Sequence, residues 1–329
     1  MPTETERMSE ATLLRLLPPI RRARGWRLYA EDGRRFLDLW QEGGRALLGA
    51  KGTGLGTEIK AAVDKGLAKP FPSIHERRLE KELLALHPDY EAVRFYSSLD
   101  AALAALASAF PGVPAEAAAA GQAAAGASSG AAVPDPGAFR EAAVRALLAD
   151  PWRRGEPAAS ARAIVLRPFG RSPGRPVGEA GAPVVQAEAA AAQAGAVRPE
   201  DYPAALAILP CPGPFAPHPL LFARKADAER AGGELLSPLS LIAGRRSLVE
   251  LRGYAKNCGE ELWRRADRRT KRLFEREGPL LYPRCAEVDY PDLFRAALGK
   301  GLLLSTDWSL PSLLPVDFDD GELKPLAEL

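Results

Sequence analysis

Asp32-Gly33 lies between two apolar, strand-like runs, Leu28-Tyr29 before it and Phe36-Leu37 with Leu39-Trp40 after it. Asp-Gly in that setting is the strongest short hairpin signal a sequence offers, because glycine accepts the positive φ of a tight turn. The chain from Trp26 to Trp40 is therefore committed to an antiparallel pair. Beyond Trp40 the pattern changes from strands to helices. After a glycine-rich loop at Gly43 to Gly56, apolar spacing predicts helices over Ile59–Leu67 and Glu76–Leu86. A short strand is expected at Val93–Tyr96, then an Ala/Leu helix over Asp100–Phe110 that Pro111 ends.

Further strands are expected at Arg162–Leu166, Ala182–Gln186, Leu206–Leu209 and Pro219–Ala223. Helices alternating with buried strands predict an α/β core around a mostly parallel sheet. Between Gly112 and Gly137 the sequence is almost all Ala, Gly, Ser and Pro, too poor in large side chains to offset its ordering entropy, and a loop is expected. Ser237-Pro238 opens a helical stretch read to about Glu277, with Leu248, Leu251, Ala255, Cys258, Leu262 and Ala266 on one face. A helix at Pro291–Leu298 and strands at Gly301–Leu304 and Ser312–Leu314 complete the chain. Three segments result: 1–75 with the hairpin, 76–236 as the α/β domain with its 112–137 loop, and 237–329 as a long helix plus a terminal α+β part.

Charge narrows the function classes. Lys and Arg number 44 against 42 Asp and Glu, a net +2 over 329 residues, so the chain as a whole has no field to hold a polyanion or an acidic membrane. No apolar run nears the ~18 residues of a spanning helix, and the polar start lacks a leader's apolar segment. Cys211, Cys258 and Cys285 are too few and too scattered for a disulfide framework or a zinc site. A soluble, cytoplasmic protein without a metal is the expectation.

In this order the elements resemble the class-III aminotransferases, pyridoxal-phosphate enzymes of fold type I. RLYAEDGRRFLDLW is similar to that family's opening hairpin. VRFYSSLDAALAAL resembles its strand and Ser-Gly-Thr/Ser-Glu-Ala helix start, and AIVLRPFGRSPG its strand ending in Glu-Pro. VVQAEA falls where the Asp-Glu strand end belongs, LLSPLSLIAG resembles the helix start after the lysine, and GLLLSTDWSLPSLLP the C-terminal strands. The resemblance implies a fold-type-I architecture: a mostly parallel central sheet with helices on both faces, and a small α+β domain built from both termini. It also implies a homodimer with the active site at the subunit interface.

Pyridoxal phosphate chemistry needs a lysine for the Schiff base, an anion at the ring nitrogen and a phosphate cradle. On this match the lysine position falls around Leu209, Pro210 or Cys211, and no lysine occurs between Lys81 and Lys225. Ala187 takes the place of the ring-nitrogen aspartate, with Glu188 one residue on. Leu99 replaces the cradle glycine between Ser98 and Asp100. No threonine occurs near Gly233-Glu234-Leu235, no arginine follows Arg295, and the ring-stacking aromatic-Gly stretch is missing.

The expected function is a catalytically inactive aminotransferase-like homodimer with no cofactor. Its vestigial cleft would be lined by Ser97, Ser98, Asp100, Arg167, Ala187, Glu188 and Cys211. Arg167, before Pro168, would let that cleft take a small anion. The alternative is an active pyridoxal-phosphate enzyme with Lys225 as the Schiff-base lysine and Glu188 at the ring nitrogen. A third reading is nucleic-acid binding through a basic helix at 264–276; interrupting acids such as Asp267 and Glu275 favour a solvated helix face instead.

Overall fold

The hairpin forms where the turn chemistry puts it. In the computed structural model, which describes residues 10–50, 54–110, 144, 146–154, 158, 160–168 and 201–329, Gly33 has φ +87° and Asp32 Oδ1 accepts the Arg34 N–H at 3.0 Å. The chain divides into two compact units, with boundaries at 51/52 and 255/256. One is built from both ends of the chain and the other from the middle. The helices near 55–64 and 238–255 therefore belong to the central unit, not to the terminal segments expected from the sequence.

The terminal unit opens with α1 (Glu10–Leu14), β1 (Ile20–Arg24), β2 (Arg27–Ala30) and β3 (Arg35–Asp38). β2 and β3 are antiparallel, pairing Leu28 with Phe36.

The central unit comprises α2 (Leu55–Asp64), α3 (Ile74–Leu86), β4 (Ala92–Tyr96), α4 (Leu99–Ala109), β5 (Leu148–Ala149), β6 (Ala163–Leu166), β7 (Ala204–Ala207), β8 (His218–Phe222), α5 (Lys225–Ala231) and α6 (Pro238–Ala255). Its sheet runs β4-β8-β7-β6-β5. β8 is antiparallel to both neighbours, whereas β6 is parallel to β7 and to β5. So β4, β5, β6 and β7 all point the same way. The period-2 alternation of a strand sorts their side chains. Ala92, Tyr96, Ala163, Val165, Leu206 and Phe222 pack with Leu103 and Leu106 of α4. Val93, Phe95, Ile164, Ala205 and Leu221 pack with Leu79 and Leu83 of α3 and Leu241 and Leu248 of α6. Helices thus cover both faces, as a sheet of this type requires.

α6 lies so close to its neighbours that Gly244 has no room for a side chain. A Cβ there would fall 2.9 Å from Leu209 Cδ1 and 3.0 Å from Pro217 Cγ. Gly253, on the same helix, has nothing within 4 Å. Gly244→Ala is therefore expected to destabilise by about 1–2 kcal/mol through overpacking, while Gly253→Ala gains up to about 1 kcal/mol in helix propensity. Urea unfolding of both variants checks the opposite signs.

The terminal unit resumes with α7 (Glu260–Arg264), α8 (Asp267–Thr270), β9 (Phe274–Glu277), β10 (Leu280–Pro283), α9 (Tyr290–Gly299), β11 (Leu302–Leu303), β12 (Ser312–Leu313) and α10 (Asp320–Glu328). β11 joins β3 in parallel, which brings the two ends of the chain into one sheet, β1-β2-β3-β11. Arg27 ties the same ends together, bonding Glu322 Oε2 at 2.6 Å and Asp317 Oδ1 at 2.7 Å.

Two sequence expectations are corrected by these elements. The helix from Ser237 does not run to Glu277: α6 stops at Ala255, Gly259 caps α7, and 274–277 is a strand turning through Gly278 at φ +55°. The basic helix at 264–276 therefore does not exist as one face. Its arginines are spread over two short helices, the turns after them and a strand, and acids hold three of them. Arg268 and Arg269 each reach Asp320 at 2.7 Å, and Arg276 bonds Glu260 at 2.7 Å and also Asp267.

Candidate active-site edge and its relatives

Because β4, β5, β6 and β7 are parallel, their carboxyl ends share one edge of the central sheet, the edge where ligands bind in open α/β sheets. The chain delivers Ser97-Ser98 there from β4, Asp150 from β5, Arg167 from β6 and Ile208 to Cys211 from β7. α4 begins at the same edge. Its N-cap is Ser98, whose Oγ accepts the Ala101 N–H at 3.1 Å. Leu99 and Asp100 form its first turn, both half-buried.

Ser97 is exposed, and its donors are already engaged. Its N–H and its hydroxyl both donate to Glu234 Oε2 at 2.7 Å. Glu234 is held in turn by its own N–H to the Phe95 carbonyl at 3.1 Å. A carboxylate of the chain itself thus sits beside the start of α4. The sequence marks Glu234 only as a place where threonine is missing.

Arg167 does not line an open anion site. Its side chain is 8% exposed and forks onto Asp150, itself 7% exposed, with Nε at 2.9 Å from Oδ1 and a second bond to Oδ2. Its guanidinium also lies 4.7 Å from the centre of the Trp152 ring. Burial by itself would raise the Asp150 carboxyl, but the Arg167 charge and hydrogen bonds override it and hold that carboxyl below its usual range. A buried cation needs a partner, and the neighbouring strand end supplies one. Sequence reasoning missed Asp150 because it lies 17 residues away and meets Arg167 only through the β5–β6 pairing.

Cys211 is also not a cleft residue. It is fully buried, packed with Ala216 and Ala243 beside Leu55 and Ile59. Ala187 and Glu188, the expected strand at Ala182–Gln186 and the 112–137 loop lie outside the described residues. β6 hydrogen-bonds directly to β7, pairing Ala163 with Ala204 through Leu166 with Ala207. Lys225 is exposed at the first position of α5. β8 runs against β4, with Phe222 opposite Ala92 and Tyr96 opposite His218. The end of β8 is thus one strand length, about 16 Å at ~3.3 Å per residue, from the edge where α4 begins. Lys225 comes just after that far end.

An uncharacterized protein of Treponema pallidum (strain Nichols) is 29% identical over 313 residues, 93% of this chain and 92% of the relative. No model of a known protein family matches the sequence. Among solved structures, an omega-transaminase from Sphaerobacter thermophilus superposes with a TM-score of 0.59 at 15% identity, covering 94% of this chain and 89% of that one. N-acetylornithine aminotransferase from Stenotrophomonas maltophilia K279a gives 0.57 at 18% identity, over 96% and 97%. The chain has the fold of the pyridoxal-phosphate-dependent aminotransferases.

The aminotransferase fold extends over nearly the whole chain, so the expected architecture is correct in kind. Among the described residues no cluster of three His, Cys, Asp or Glu could hold a metal ion, and no helix is long and apolar enough to cross a membrane.

Proposed function

We propose that this chain is a catalytically inactive protein of the aminotransferase fold, a homodimer that binds rather than converts. One observation carries the reading: no lysine lies between Lys81 and Lys225. The loop from β7 to β8 therefore has no amine to offer at the carboxyl edge, and Lys225 begins a helix beyond the opposite edge. The residues at the start of α4 do not fit pyridoxal phosphate either. Ser98 caps its own helix, Glu234 takes both donors of Ser97, and Leu99 puts a side chain where backbone must approach a phosphate.

The dimer rests on the resemblance to a dimeric family. With Arg167 matched by Asp150, no anion is assigned to that edge.

The test is an absorbance spectrum of the full chain after incubation with pyridoxal phosphate and desalting, repeated after borohydride reduction. A flat spectrum is expected. A stable band at about 400–430 nm, trapped by borohydride on a lysine, means that an aldimine forms and overturns the reading. Sedimentation velocity on the same sample should find twice the 35.2 kDa chain mass; a monomer removes the dimer.

A further inference from the structure

α2 and α3 both pack on α6, and their junction collects positive charge from all three. Lys65 caps the end of α2, His75 and Arg78 stand on the first turns of α3, and α6 contributes the consecutive Arg245 and Arg246. The two α6 arginines are treated differently. Arg246 bonds Glu250 Oε1 at 2.6 Å and Glu58 Oε1 at 3.3 Å, and it lies over Gly54, where a Cβ would meet its Nη2 at 3.1 Å.

Arg245 has no such partner. It is half-buried, and among the described residues its side chain makes no hydrogen bond or ion pair; the same is true of the exposed Lys65 and Arg78. The packing brings these helices together here: a Cβ on Gly244, next to Arg245, would lie 3.2 Å from Leu79 Cδ2, next to Arg78, and Arg246 reaches Glu58 of α2. Burial first, then the charges of Arg78, Arg245 and Lys65, push His75 below its usual range, with Glu58 alone opposing. Glu58 is the acid that Arg246 already holds.

We propose that this junction binds the dianionic phosphate group of a small ligand, gripped by Arg78, Arg245 and Lys65 with His75 beside it. A half-buried guanidinium with exposed cations on the neighbouring helices and no acid bonded to it attracts an anion. A monocarboxylate neutralises only one of them. A phosphate dianion answers two or more, and the planar forks of two arginines suit its oxygens. The positive end of the α3 dipole adds to the same field. A long polyanion is disfavoured, because Glu58 on α2 and Glu76 and Glu80 on α3 share these helices and the chain is nearly neutral overall.

The bound anion favours the imidazolium, so it must raise the His75 pKa. The chain has three histidines, and His75→Asn assigns the ring signal. NMR titration of the full chain, with and without inorganic phosphate at ionic strength held constant by sodium chloride, should show that rise. Calorimetry with inorganic phosphate and with glycerol 3-phosphate should give dissociation constants that weaken at least tenfold in Arg78→Ala/Arg245→Ala. Arg252→Ala, on the same helix as Arg245, removes a pair with Glu82 of α3 and should leave them unchanged. Tighter binding of glycerol 3-phosphate identifies an organic monoester as the ligand class; equal binding assigns the grip to the phosphate group alone. If chloride reproduces the His75 shift, or the double variant binds as the wild type does, the site does not exist.

Discussion

Asp150→Ala is expected to destabilise the central unit by about 3–5 kcal/mol, the cost of leaving a buried cation without its anion. The Arg167 side chain is 8% exposed, with its guanidinium 4.7 Å from the centre of the Trp152 ring, so little water reaches it to soften that loss. The double variant Asp150→Ala/Arg167→Met should lose markedly less, because an apolar side chain of similar length fills the space without a charge to solvate. Urea unfolding of the two single variants and the double closes the cycle. A single-variant loss below about 1 kcal/mol would mean that the pair behaves as a surface ion pair, contrary to its burial. The pair also has a pH signature. Its carboxyl titrates below its usual range when folded, so its contribution is complete above about pH 4 and is lost as acid approaches the folded-state value.

Asp38→Asn should do the opposite and stabilise the protein at neutral pH. Burial raises this carboxyl from 3.8 to about 6, only partly offset by the N–H groups of Gln41 and Trp40 at 2.8 and 3.1 Å, and the Glu42 charge adds to the rise. The folded state therefore holds the Asp38 proton more tightly than the unfolded chain does. The cost of ionising it is absent below about pH 4, grows as pH rises, and is complete above about pH 6. A shift of this size amounts to about 3 kcal/mol. Asparagine keeps an oxygen for both N–H groups and carries no charge. Thermal unfolding should put the variant above wild type at pH 8, with the gap closing near pH 4. A gap that does not change with pH would mean that Asp38 is solvated.

The elements were legible where local chemistry alone decides them. The Asp-Gly turn, the short strand at Val93–Tyr96 and the Ala/Leu helix that follows it need no information from elsewhere in the chain. The long helix read from Ser237 failed at Ala255 for the complementary reason. Its three-and-four spacing continues past the true end, but the helix stops at Ala255, Gly259 caps a new one, and the residues from Lys256 on belong to the other unit. The hairpin of β9 and β10 was missed because Phe-Glu-Arg-Glu shows no strand-like apolar run; its partner strand and Gly278 make it one.

The candidate site divides along the same line. Which side chains exist is a property of the sequence, and a run of more than a hundred residues without a lysine was visible before any fold was known. Local spacing likewise determined the α/β alternation and the start of α4. Only the tertiary structure decided which groups meet: Arg167 with Asp150, Ser97 with Glu234, and Lys225 with the far edge of the sheet. Spacing along the chain carries turn and period information, whereas these pairings depend on strand order and direction. Those are set by burying both faces of the sheet at once.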